Sequence, residues 1–192
     1  TSISNSGYPS IKYTAAFDFY AKEDLLVFPS IIKTGLESFE QVYGYRAKAF
    51  TPPAQGYHAS MLSTLKTHGI EILDRPLFGK KHVGKGHYKK QVHLMGFDKK
   101  KQITKMVRNV VFEPNSGKDV NLACKQVEAA FRWNKPAIIS SHRVNFCGHI
   151  DPAYRKKGLA ALKKLLSSIK EKWPEVEFMD VATLGDLINN NQ

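Results

Sequence analysis

Apolar residues recur along the chain with two spacings, and the spacing switches repeatedly. Residues 11–19, IKYTAAFDF, crowd apolar and aromatic side chains into a short run, which predicts a strand. In 30–43, Ile32, Leu36, Phe39 and Val42 or Tyr43 share one face of a 3.6-residue period, which predicts a helix closed by Gly44. A short strand at 47–50 stops at Pro52-Pro53. A helix follows over 59–68, with Met61, Leu62 and Leu65 inward and Gly69 just beyond it. A strand at 70–73 is stopped by Asp74-Arg75-Pro76, and another is predicted over 103–112. Asp119 caps a helix over 120–133, and 135–140 reads as a strand. Asp151-Pro152 opens a helix over 152–173 whose apolar face runs Leu159, Leu162, Leu165, Leu166, Ile169 and Trp173. A short strand at 176–179 and a last helix at 183–188 complete the chain. Strand and helix alternate, so the expected class is α/β with a parallel sheet, open or closed into a barrel. With no repeat and no linker, one domain over 1–192 is expected.

Length and composition agree with that class. The chain has 192 residues, 42% of them hydrophobic, enough for one real core. No apolar run is long enough to span a membrane. TSISNSGYPS at the N-terminus lacks the regions of a signal peptide, so a cytoplasmic location is expected. The chain starts with Thr1 and not Met, which is compatible with a processed product or a fragment. Two cysteines, Cys124 and Cys147, make neither a disulfide framework nor a cysteine zinc site.

Charge adds one feature. The formal net charge is +12, and residues 79–105 carry nine lysines against one acid, Asp98. The glycine-, lysine- and histidine-rich part of this segment, about 79–102, reads as a basic β-ribbon insertion. Such a patch attracts polyanions. A solvated, solubilising ribbon is the simpler reading of a lysine run, and nucleic acid is not the expected partner.

In parallel α/β folds, ligands meet the carboxyl ends of the strands. That rule nominates Asp18 after the first strand, and Thr51, Pro52, Pro53, Gln55, Tyr57 and His58 after the second. It adds Asp74 and Arg75, then Arg108, Asn109 and Glu113, then His142, Arg143 and Asn145, and finally Asp180. His142 is the natural acid or base, since histidine titrates near neutrality. Asp180 or Asp74 could orient it. Arg143 and Arg108 could bind a carboxylate or phosphate, and Asn145 could shape the turn. Pro52 and Pro53 stiffen a strand exit that presents Tyr57 and His58 to a sugar or an oxyanion. Glu113, Asp74 and Asp180 could also supply the opposed carboxylates of a glycosidase, though no spacing pairs them. No dinucleotide fingerprint, P-loop, nucleophile elbow or H-E-x-x-H is present. His82, His87 and His93 are spaced five and six apart, and read as incidental rather than as metal ligands.

Taken together, four stretches resemble the polysaccharide deacetylase family: GLESFEQVYGYRAKAFTPPAQGYH (35–58), MVRNVVFEP (106–114), VEAAFRWNKPAIISSHRVNF (127–146) and KEKWPEVEFMDVATLGDLI (170–188). The resemblance implies a distorted (β/α)7-type barrel and metal-assisted hydrolysis of N- or O-acetylated glycans. In that chemistry a divalent metal such as zinc polarises the acetyl carbonyl, an aspartate is the base, and a late-strand histidine protonates the leaving group. His142 matches that histidine, while Asp180 joins it as a catalytic candidate from its strand-end position alone. FTPP at 50–53 resembles a groove-lining motif, with Thr51 where the family carries arginine. The family's early paired aspartates and its H-x-x-x-H pair are not found in this chain. The expectation is therefore a partial barrel of about six strands, the C-terminal portion of a longer protein, without identifiable metal ligands. It would associate with a missing N-terminal segment or with a second copy, and be inactive alone. Two alternatives share the fold: a non-catalytic carbohydrate-binding protein, and a polyanion-binding protein acting through 79–105.

Overall fold

The computed structural model describes residues 16–85, 87–149 and 151–190. It is a mixed α/β structure that divides into two compact units. One comprises the chain up to Val107 together with the segment from Asp180 onward, and the other runs from Arg108 to Met179.

The first unit is built on a four-stranded sheet. Its strands are β1 (Ala49–Phe50), β2 (Ile72–Pro76), β5 (Gly96–Asp98) and β6 (Ile103–Arg108), in the order β1-β2-β6-β5. β1 and β2 are parallel, whereas β5 and β6 are antiparallel. Helix α1 (Phe28–Tyr43) ends where predicted, with Gly44 at φ 74° donating its N–H to Glu40 O at 2.8 Å. Helix α2 (Met61–Thr67) connects β1 to β2. The core joins Phe17, Phe19, Phe28, Ile32, Met61, Leu65 and Ile70, and the Phe17 and Phe28 rings meet edge-on at 5.4 Å. Between β2 and β5 the chain makes a hairpin, β3 (Phe78–His82) with β4 (Tyr88–Val92), which is the expected basic ribbon. The ribbon ends at Val92, because 96–98 joins the main sheet. Helix α5 (Val181–Asn190) rests on that sheet through Gly185, where a Cβ would overlap the Ile72 side chain.

The second unit pairs β7 (Val110–Val111) with β8 (Ile139–Ser140) in parallel, joined through α3 (Val120–Arg132). Helix α4 (Pro152–Lys172) completes it. Val110, Phe112, Val120, Ala123, Val127, Leu165 and Ile169 form its core. Both predicted caps are present: Asp119 accepts from Leu122 N at 3.0 Å and Asp151 from Ala153 N at 2.9 Å.

The described strands form three small sheets and close no barrel. Several of the expected strands need correction. The single strand expected over 103–112 is interrupted at Asn109, whose Oδ1 accepts from Ile138 N at 2.7 Å while its Nδ2 donates to Pro136 O at 3.0 Å. That side chain replaces ladder bonds, which also shortens the strand expected at 135–140 to two residues. Residues 11–15 of the first expected strand lie outside the described residues. Residues 16–19 form a turn and a loop, because Phe17, Asp18 and Phe19 are all buried and the strand alternation fails. Residues 176–179 are not a strand either; Phe178 and Met179 are exposed. The inward face of α4 runs through Gly158, Leu165 and Ile169, leaving Leu159 and Leu166 exposed.

Candidate functional site

The parallel pairing of β7 and β8 sets Val111 opposite Ser140. Two residues beyond each stand Glu113 and His142, so both leave the same sheet edge side by side. Glu113 Oε1 accepts from His142 Nδ1 at 2.6 Å and from the His142 backbone N–H at 3.1 Å. Oε2 accepts from Asn145 Nδ2 at 2.5 Å, and that amide also donates to His142 O at 2.9 Å. Asn145 Oδ1 in turn accepts from Asn115 N at 3.3 Å.

Exposure separates these roles. The His142 side chain is 77% exposed, Glu113 only 11%, and Asn145 is fully buried. The carboxylate is thus the inner anchor and the imidazole the outer group. With Nδ1–H held by Glu113, Nε2 faces outward without a protein partner among the described residues. The ring need not turn when Nε2 gains or loses a proton, which suits a general acid or base. Burial pushes the Glu113 carboxyl upward. The hydrogen bonds from Asn145 and His142, with the charge of His142, outweigh it and hold the group below its ordinary value.

The backbone supports this loop closely. Arg143–Asn145 is a single 3-10 turn, with Asn145 N bonded to His142 O at 3.0 Å. Gly158 of α4 abuts it; a Cβ there would overlap the Asn145 carbonyl oxygen. Arg143 is exposed beside His142. Arg108 Nη1 donates to Ser140 Oγ at 3.2 Å, on the strand that carries His142.

The other expected site residues lie in the first unit and have local partners. Pro52 is buried and Pro53 opens a tight turn in which Ala54 and Gln55 take φ of 49° and 61°, a conformation that costs non-glycine residues energy. Tyr57 lies 5.0 Å from the Arg75 guanidinium. Burial pushes its phenol up, against the opposing charge of Arg75. His58 Nδ1 meets Ser60 Oγ at 2.9 Å, and burial pulls the ring below its ordinary value. Asp74 accepts from Thr51 Oγ1 at 3.0 Å. Asp180 accepts from Thr183 N at 2.7 Å at the start of α5, and that bond holds its carboxyl below the ordinary range. The acid that orients His142 is thus Glu113, rather than the two aspartates first considered for that task.

Sequence reasoning also passed over a second acid–histidine pair. Asp18 and His82 are both buried and bonded through Oδ1 and Nδ1. Tyr88 donates its hydroxyl to Asp18 Oδ2 at 2.8 Å. Burial and then the bond to Asp18 push the Tyr88 phenol up to about 12. Burial lowers His82 despite Asp18, so this pair pins 16–20 to the ribbon as a neutral histidine under a carboxylate. No strand pattern signals it: period-two alternation groups His82 with the exposed Phe78 and Lys80, and only its burial in the fold demands a partner.

Among the described residues no three His, Cys, Asp or Glu side chains gather as a metal holder, and no helix is long and apolar enough to cross a membrane. No protein-family model matches this chain, and no curated protein matches it.

Proposed function

We propose that this protein is a deacetylase-like hydrolase of N- or O-acetylated glycans, built on part of a distorted (β/α)7-type barrel, in which His142 protonates the leaving group. One observation carries the reading: an exposed imidazole, with Nε2 outward, is held by a buried carboxylate at the carboxyl end of paired parallel strands. Glu113 fixes the tautomer and Asn145 fixes Glu113. Arg143 stands beside them as a cation for the polar groups of a sugar. The divalent metal that the resemblance implies finds no ligand cluster among the described residues, so the roles assigned are those of His142, Glu113 and Asn145 alone.

The test is a titration of the protein with an N-acetylated amino-sugar oligomer and an O-acetylated one. His142 imidazole resonances and released acetate are followed together, with zinc added. The expected result is a saturable shift at His142 with either sugar; any acetate released in the presence of zinc should disappear in His142→Ala. No shift with either sugar, and no release that depends on His142, would sink the reading.

A second reading rests on the ribbon. Its register sets Lys80 opposite Lys90 and Lys81 opposite Lys89. Like charges directly opposite destabilise a hairpin, and an anionic chain laid along it would relieve that repulsion. Heparin retention falling steeply with salt, and reduced in a Lys80→Gln/Lys90→Gln variant, supports polyanion binding. Retention unchanged in that variant removes it.

A further inference from the structure

We propose that the first unit carries a binding site for a small oxyanion, a carboxylate or a phosphate-like group, centred on Arg75. This residue lies near the end of β2 and is only 2% exposed. Buried cations are ordinarily paired with a carboxylate, because an uncompensated buried charge is costly. Among the described residues no carboxylate forms an ion pair with Arg75; the nearby Asp74 acts on it only through space, too weakly to offset burial, and its hydrogen-bond partners are neutral. Nε and Nη2 both approach His93 Nε2, at 3.4 and 3.2 Å, and Nη1 donates to Gln55 O at 3.3 Å.

His93 cannot serve as a counter-charge. Its Nδ1 lies 2.7 Å from the Pro76 carbonyl, which requires the proton on Nδ1 and leaves Nε2 as the acceptor facing Arg75. Burial pulls this histidine below its ordinary value, against the Pro76 bond. The three contacts to Arg75 are long for charge-assisted hydrogen bonds. A guanidinium carries five N–H donors, so two remain without a partner.

A cavity of about 220 Å³ is lined by Arg75 together with Tyr57, Gln91, His93, Lys101 and Lys105 and several aliphatic side chains. It is roomier than a single water needs and smaller than a typical cofactor pocket. That size suits a small anion, or the charged end of a larger ligand. Its wall adds two ammonium groups. Lys105 Nζ is 2.6 Å from Asp98 Oδ2 and so offsets the nearby acid. Lys101 is exposed, with no side-chain partner among the described residues. An oxyanion in the cavity would take the two remaining Arg75 donors side by side and Lys101 as a third contact. The lysines of the adjoining ribbon would raise the local concentration of anions. The site shares no residue with the His142 cluster and stands independently of the hydrolase reading.

The experiment is calorimetric titration of the protein with inorganic phosphate, sulfate and glucuronate at matched ionic strength, using chloride as the control. The Arg75 Nε–H resonance is followed in parallel. Saturable one-to-one binding and a shift of that resonance are expected. Arg75→Met should weaken binding by roughly tenfold or more, as loss of a charge-assisted contact requires. Lys101→Glu alters only an exposed side chain and should weaken binding too, so it decides the matter if Arg75→Met does not fold. Binding of phosphate and sulfate but not glucuronate assigns a phosphate-type ligand, and the reverse assigns a carboxylate; both support the site. No saturable binding of any of the three, or binding unchanged by Lys101→Glu, overturns it.

Discussion

Replacing Glu113 with glutamine preserves its size and removes one oxygen acceptor. Three donors converge on the native carboxylate: Asn145 Nδ2, His142 Nδ1 and His142 N. In the variant the new amide must point either at Asn145 or at the two His142 donors, so a donor meets a donor in both orientations. Turning the Asn145 amide to compensate would break its bond from Asn115 N. The Asn145 bond is buried and has a charged acceptor, which makes it worth about 1.5–3 kcal/mol. The His142 imidazole is largely exposed, so its ion pair adds only about 0.5 kcal/mol. A net loss of about 2 kcal/mol follows for Glu113→Gln.

The assay is built into the sequence. The chain has two tryptophans, Trp133 and Trp173, and both lie in the second unit. Urea unfolding followed by their fluorescence therefore reports that unit, and its midpoint should fall by about 1 M. The pH dependence supplies a further check. The folded Glu113 carboxyl lies below its ordinary value, so its stabilisation is present above the unfolded value of about 4.3 and is lost as pH falls through the folded one. The gap between wild type and Glu113→Gln should be full at pH 7 and smaller at pH 3. Under the hydrolase reading, loss of the oriented tautomer should also slow acetate release by roughly 10²-fold or more. A variant as stable as wild type at pH 7, or equally destabilised at both pH values, would refute the anchoring role of this carboxylate.

Other outcomes follow from neighbouring features. Gly158→Ala should destabilise the second unit by about 1–3 kcal/mol, because the added Cβ overlaps the Asn145 carbonyl oxygen. Gly35→Ala in α1 meets nothing within 4 Å and should instead stabilise the first unit by about 0.5–1 kcal/mol. Thermal melts read by circular dichroism distinguish the two signs. Asp119→Ala removes the cap on Leu122 N and should cost about 1 kcal/mol in the same fluorescence assay. His82 and His93 are buried and pulled below their ordinary values. Below about pH 6.5 the unfolded chain therefore binds protons that the folded first unit does not. Its stability should fall as pH drops from there toward the lowered folded values, by at most about 1.4 kcal/mol per pH unit for each histidine. Hydrogen exchange of the first-unit sheet measures this, and a flat profile from pH 7 to 5 would contradict it.

Local signals were legible in the sequence wherever one short-range rule acted without competition. Gly44 closes α1, Asp119 caps α3, Asp151-Pro152 opens α4, and the lysine-rich segment folds as a hairpin. Strand lengths were less legible because side chains compete for backbone partners. Nothing in NVVFEP announces that Asn109 will take the Ile138 N–H and break the strand expected over 103–112 in two. The FDF stretch misleads for a related reason. Alternation implies one dry and one wet face, but Asp18 is buried as deeply as its neighbours because His82 and Tyr88 meet its carboxylate.

The position of His142 at a strand end was readable, but its partner was not, and the reason is register. Sequence separation places Glu113 and His142 29 residues apart, with a helix between them. What joins them is that each stands two residues past the end of a strand, and that Val111 pairs with Ser140. Parallel strands that leave a sheet at the same height bring equal offsets together. The search for an orienting acid therefore favours the strand bonded to the one bearing the histidine over the aspartates at other strand ends. The same reasoning places Asn145 correctly. As a surface turn residue it would face solvent; one turn after His142 and under Gly158, it is buried and must find acceptors. The acceptor within reach is the carboxylate already holding the imidazole, so one buried charge fixes both the loop and the reactive ring.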